Sequence, residues 1–275
     1  MLIKPVVYLN GKFITPQEAE ISPLDEGFLF GLALFESLRV YKNKIVYLEK
    51  HFLRIKQSAL LIGMGFPFQF SRLEKLIREI VCRNGLSDAY LRLTLWKRRL
   101  AAGILITAKE YTPYPQVKYK SGFSATISGL RQDGASLLAR IKSCNRILYQ
   151  LSLQEARSEN FDEAIILNQR GMIAEGARTN VFFVQDEVIF TPSIECGCLP
   201  GVTRQAVFNL AKKYRLKIYA GKFSPQDLKN AQEAFLTNSL IGIMPLSSLE
   251  KEEIGKEKCG RLTQFLQKKY LCLFR

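Results

Sequence analysis

At 275 residues, 47% hydrophobic and 24% charged, the chain has the balance of a soluble globular protein and is long enough for one large domain or two modest ones. No apolar run reaches the roughly twenty residues of a bilayer span and the amino terminus carries no secretion signal, so a cytoplasmic protein with no membrane partner is expected. The formal net charge of +15 permits polyanion binding, yet the basic residues are scattered through predicted helices, as at Lys212, Lys213, Arg215, Lys268 and Lys269, without a nucleic-acid motif, and no nucleic-acid partner is expected.

Asn10-Gly11 between apolar stretches at 6–9 and 12–14 signals a two-residue hairpin. A second strand pair, 35–41 with 45–47, turns at Lys42-Asn43-Lys44. Apolar residues at 48, 52, 53, 55, 59 and 60 then follow helical spacing up to Gly63. A further helix is capped by Ser71, carries Leu73, Leu76, Ile77, Ile80 and Val81 on one face, and ends at Asn84-Gly85. Strands are expected at 90–95 and 103–108, followed by the linker Thr112-Pro113-Tyr114-Pro115-Gln116. Beyond it come a strand at 123–127, a helix at 146–159, strands at 163–167, 180–184 and 187–190, a helix at 202–214 and a strand at 216–219. This order predicts an α+β protein of two domains, a smaller N-terminal α/β domain over 1–117 and a larger C-terminal α+β domain over 118–275.

The six cysteines form no CxxC pair and the chain has one histidine, His51, so neither a metal site nor a disulfide framework is expected. Cys196-Gly197-Cys198 reads as a tight turn.

The chemistry concentrates after residue 140. An aldehyde cofactor such as pyridoxal phosphate needs an amine to hold it, an acid to keep its ring nitrogen protonated and backbone amides for its phosphate. Lys142 offers the amine, and Glu175, at the end of a predicted strand and followed by small residues, offers the acid. Pro200-Gly201-Val202-Thr203-Arg204 places amides and a hydroxyl at the start of a predicted helix, and Thr237-Asn238-Ser239 adds short donors after a strand at 234–236. Each feature alone has a plain explanation: a solvated lysine, a strand-end glutamate, a common way to begin a helix. Their company is what points to a cofactor.

Phe35-Glu36-Ser37-Leu38-Arg39, His51-Phe52-Leu53-Arg54, the Lys142 segment, Glu163-Ala164-Ile165, Glu175 with Asn180-Val181-Phe182, Leu199 to Arg204 and the segment 235–246 occur in one order over almost the whole chain. In that order the sequence resembles the class IV, or fold type IV, pyridoxal-phosphate aminotransferases, which include branched-chain aminotransferases, D-amino acid aminotransferases and 4-amino-4-deoxychorismate lyases. The resemblance implies a D-amino acid aminotransferase-like fold with the active site between two domains, and a homodimer. It implies that Lys142 holds the cofactor covalently, that Glu175 pairs with the pyridine nitrogen and that Arg54, Val202, Thr203 and Thr237 bind the phosphate, with Asn238 beside them.

Lys-x-x-Asn-Arg at 142–146 and the segment 235–246 resemble the lyases most, while the Arg-x-His pair of D-amino acid aminotransferases is missing. The expected function is therefore conversion of 4-amino-4-deoxychorismate to 4-aminobenzoate and pyruvate in folate biosynthesis. A branched-chain or D-amino acid aminotransferase is the alternative, and a non-catalytic basic binding protein the rival from another class. Lys142 would carry the proton, with Ser37 a candidate for protonating the leaving group. Arg39, Lys97 and Arg98 are candidates for holding the carboxylate of a small-molecule amine substrate.

Overall fold

Asn10 and Gly11 adopt positive φ angles of 47° and 105°, closing the predicted two-residue hairpin between β1 (Val7–Leu9) and β2 (Lys12–Ile14). Lys42 and Asn43, at 46° and 63°, do the same between β3 (Ala33–Tyr41) and β4 (Lys44–Ile45). The computed structural model describes residues 5–99 and 101–274. These strands belong to the first of two units, which comprises the chain up to Thr112 together with Ile141–Asn145. β5 (Ala89–Lys97) and β6 (Ala102–Glu110) complete its antiparallel sheet in the order β2-β1-β6-β5-β3-β4.

One face of that sheet is core. After the single turn α1 (Glu26–Leu29), helices α2 (Leu48–Leu61) and α3 (Phe70–Arg83) bury Phe52, Ile55, Leu73 and Ile77 against Leu38, Leu91 and Ile106 of the strands. Each such side chain contributes roughly 1.5–3 kcal/mol on removal from water. α3 starts at Phe70, so Ser71 lies inside the helix and does not cap it. At its other end Asn84 donates to the Ile80 and Val6 carbonyls and accepts from Val6 N, tying the helix to the strand hairpin.

The excursion 141–145 joins this unit because Ile141 is buried in the same core and the backbone pairs with β3. Phe35 N donates to the Lys142 carbonyl at 2.9 Å and Cys144 N to the Ala33 carbonyl at 2.8 Å.

The second unit comprises Pro113–Arg140 and the chain from Arg146 onward. Its helices are α4 (Gln116–Ser121), α5 (Leu137–Arg140), α6 (Ile147–Ser158), α7 (Val202–Lys213), α8 (Pro225–Lys229) and α9 (Arg261–Leu271). Its strands are β7 (Phe123–Gln132), β8 (Glu163–Asn168), β9 (Ile173–Gly176), β10 (Asn180–Gln185), β11 (Val188–Pro192), β12 (Lys217–Gly221), β13 (Glu233–Asn238), β14 (Gly242–Leu249) and β15 (Glu252–Glu253). They form one mixed sheet, ordered β12-β11-β10-β13-β14-β7-β8-β9, with β15 on β14. The pairs β7–β8 and β11–β12 are parallel because α6 and α7 return the chain across the sheet between them, as a parallel pairing requires. Among the described residues no helix is long and apolar enough to cross a membrane, and no group of three or more His, Cys, Asp or Glu could hold a metal ion.

Candidate active site

Strand alternation sends Glu36 into the core of the first unit and its neighbours Phe35 and Ser37 to the opposite face. Glu36 is fully buried and its carboxylate is clamped by two residues of one α2 face. Arg54 donates from Nε at 2.8 Å and from Nη2 at 2.6 Å, and His51 Nδ1 lies 2.6 Å away. Burial alone would raise the Glu36 pKa, but the Arg54 guanidinium and His51 hold it down at about 2. Burial lowers the His51 pKa and outweighs the pull of Glu36, so the ring is neutral at pH 7 and donates Nδ1–H to the carboxylate.

Both shifts carry the same sign for stability. His51 in the unfolded chain takes up a proton below its ordinary 6.5 that the folded ring refuses, so its contribution is present above that pH and lost on acidification. The contribution of Glu36 is present above its ordinary 4.5 and is lost as pH falls toward about 2. Urea midpoints are expected to drop between pH 7.5 and 5.5, less so in His51→Gln. An equal drop in both proteins would remove His51 from the account.

On the opposite face of β3, the Lys142 amine lies 4.6 Å from the centroid of the buried Phe35 ring and the Arg92 guanidinium 3.9 Å from it. Arg92 sits on β5 directly opposite Ser37. It donates to Thr94 Oγ1 at 3.2 Å and contacts Cys144 Sγ at 3.7 Å, and no acidic side chain of the described residues pairs with it. Ser37 Oγ is 3.4 Å from the Tyr90 hydroxyl on the same face. The three cations singled out from sequence are all engaged with carboxylates: Arg39 with Asp88 at 3.0 Å, Lys97 with Glu26 at 3.1 Å and Arg98 with Asp25 at 3.7 Å. Arg92 was missed, although Tyr90-x-Arg92-x-Thr94 is a polar stripe at strand spacing that could have marked it.

In the second unit β9 is buried along its whole length, and Glu175 is its penultimate residue. Glu175 Oε1 faces the Tyr149 hydroxyl at 3.0 Å, and Oε2 accepts from Leu199 N at 2.9 Å. Asn180 Nδ2 holds the Leu199 carbonyl at 2.9 Å, so both polar groups around Leu199 are fixed immediately before the Gly201 turn. Gly201 has no room for a side chain: a Cβ there would lie 2.0 Å from Asn180 Oδ1.

α7 begins at Val202 with no side chain capping its first amides, and Thr203 is buried beside Tyr270, hydroxyl to hydroxyl at 3.5 Å. Across the β10–β13 ladder Thr237 stands opposite Asn180, and its buried Oγ1 has no hydrogen-bond partner among the described residues. A buried hydroxyl left unpaired costs about 1–3 kcal/mol, so it marks a place for an acceptor. Together with the positive end of a twelve-residue helix and a glycine packed against Asn180, it fits a phosphate. Asn238 is occupied otherwise: its Oδ1 accepts from Leu240 N and Ile241 N, and its Nδ2 donates to the Arg178 carbonyl, shaping the turn after β13.

The sequence model of the family described as amino-transferase class IV matches residues 33–249. The chain belongs to that family. This class IV family member is 28% identical to the branched-chain-amino-acid aminotransferase of Pseudomonas aeruginosa over 284 residues, covering 98% of this chain and 92% of the relative. It is 27% identical to the aminodeoxychorismate lyase of Bacillus subtilis over 277 residues, covering 96% and 93%. The branched-chain aminotransferase of Thermobaculum terrenum, solved in its PLP form, superposes with a TM-score of 0.88 at 26% identity, covering 99% and 94%.

The expected kinship to the lyases is overturned. Solved structures that superpose on the chain with TM-scores of 0.88 to 0.93 are branched-chain aminotransferases. The same name recurs among curated relatives 26 to 28% identical to the chain. The physical reason lies in what the Asn-Arg pair does. Asn145 donates to the Gly31 carbonyl and Arg146 to the Ala177 carbonyl, so both side chains pin backbone, a role that does not depend on a lyase substrate.

Proposed function

We propose that this class IV family member transfers the amino group of branched-chain amino acids to a 2-oxo acid, with pyridoxal 5′-phosphate as its cofactor. The observation that carries the reading is the pair of cations on the Phe35 ring, the Lys142 amine and the Arg92 guanidinium, in a chain similar over nearly its full length to branched-chain aminotransferases. Several of those relatives were solved with pyridoxal or pyridoxamine phosphate, which supports the cofactor.

In this reading Lys142, Arg54, Glu175, Val202, Thr203 and Thr237 serve the cofactor. When bound, the cofactor supplies an electron sink that makes the substrate Cα–H acidic. The residues do the rest. Lys142 Nζ would take the proton from the substrate Cα and release it at the cofactor carbon rather than back at Cα, as amino transfer requires. Glu175 keeps a carboxylate toward the ring nitrogen. Gly201, the α7 amides and the Thr237 hydroxyl hold the phosphate. Arg92, paired with no acidic side chain of the described residues, receives the carboxylate of the substrate, and the Phe35 ring lies beside it. Leu24, Phe28 and Phe30, at 78, 72 and 68% exposed, form an apolar surface that supports a homodimer.

The test is to supply leucine, isoleucine and valine with a 2-oxo acid acceptor and follow the branched 2-oxo acids. Turnover of all three is expected, and Arg92→Leu is expected to raise KM about 10- to 100-fold with a smaller change in kcat. Reaction with other amino acids but none of these three would sink the substrate assignment.

A further inference from the structure

The hydroxyl of Tyr149 has one proton and two acceptors. It lies 2.7 Å from Gln132 Oε1 and 3.0 Å from Glu175 Oε1. Gln132 cannot relieve this by turning its amide, because its Nε2 donates to the Gly197 carbonyl and a flipped amide would set oxygen against oxygen there. The phenol ring is held as well, since the Arg146 guanidinium covers its face at 3.7 Å. The hydroxyl is thus fixed at the junction of Glu175 and Gln132, and its proton is shared between them by rotation about one bond.

We propose that Tyr149 is a positioning residue for Glu175, its O–H turning to the carboxylate whenever Glu175 is ionised and so favouring the charged form that faces a protonated ring nitrogen. The inference rests on the reading of Glu175 as the ring-nitrogen partner. A carboxylate that accepts from Tyr149 on Oε1 as well as from Leu199 N on Oε2 is a weaker base than the same carboxylate without the Tyr149 donor. The weaker base leaves the shared proton on the ring nitrogen, where it strengthens the electron sink. Burial and the neighbouring Glu175 push the Tyr149 pKa far up, against the opposing pull of Arg146, so the phenol keeps its proton throughout the working pH range. Gln132 is the resting acceptor that holds the O–H when Glu175 carries a proton.

The experiment reconstitutes the protein with ring-15N pyridoxal phosphate and records the 15N resonance of the cofactor. The isosteric Tyr149→Phe keeps the ring under Arg146 and removes the hydroxyl. Its resonance is expected to move toward the unprotonated position, with kcat lowered about ten-fold and KM within about two-fold, since one hydrogen bond to a charged group is lost. A wild-type resonance and kcat in Tyr149→Phe would overturn the proposal.

Glu175→Gln separates the two layers. If Glu175→Gln also leaves the resonance unchanged, Glu175 is not the ring partner and the underlying reading fails. If it moves the resonance while Tyr149→Phe does not, the role of Tyr149 alone fails. Gln132→Leu supplies an independent check, because it removes the competing acceptor and leaves the O–H to Glu175. A protonated ring nitrogen in Gln132→Leu supports the proposal, and a resonance moved as in Tyr149→Phe contradicts it.

Discussion

Lys142→Ala is expected to lower leucine turnover by at least about 10⁴-fold, because it deletes the group proposed both to hold the cofactor and to carry the Cα proton. The substitution is gentle to the fold. The backbone of residue 142 stays paired with Phe35, and Ile141 remains the buried anchor of the segment. Pyridoxal phosphate is therefore expected to bind still, through the residues proposed for its phosphate, but without the visible absorbance of a covalent complex. Partial recovery of turnover by a small primary amine would assign the loss to the missing amine. Turnover above about a tenth of wild type would show that another residue carries the proton, since loss of general base catalysis alone costs 10² or more.

Glu36→Leu is expected to destabilise the first unit by about 3–5 kcal/mol, the cost of leaving a buried positive charge without its counter-ion. Glu36 is the shared acceptor of Arg54 and His51, so its removal strands two donors at once. The leucine fits by volume, which makes the loss electrostatic. Glu36→Gln keeps an acceptor oxygen and is expected to lose less. Urea unfolding of the two variants beside wild type measures the difference. A Glu36→Leu protein within about 1 kcal/mol of wild type would mean that Arg54 is satisfied without Glu36 and that the pair contributes little, as an exposed pair would.

The two predictions draw on information of different kinds. Lys142 and Glu175 could be singled out in the sequence because their flanking residues form recognisable local contexts, and the turn before α7 could be singled out because Pro-Gly and a helical period are local signals. The same holds for the Asn10-Gly11 hairpin, whose positive φ angles only a few residue types adopt readily, and for the apolar face of α3. The short helices α4, α5 and α8, of four to six residues, escaped notice because so few residues show no period.

What the sequence by itself determined, then, was the family and the run of longer elements, and it singled out Lys142 and Glu175 as the candidates for the amine and the acid. What the tertiary structure decided was which residues stand beside them. Glu36, His51 and Arg54 meet because β3 packs under α2, and Arg92 faces Ser37 because β5 pairs with β3 in one register. Thr237 stands opposite Asn180 through the β10–β13 ladder, and Tyr149 reaches Glu175 from a helix twenty-six positions earlier in the chain. Periodicity and turn chemistry are written in neighbouring residues, whereas strand register and helix docking are set by burial summed over the whole core, and a shift of one residue would turn a strand side chain to the other face and swing a helix side chain about 100° round its axis.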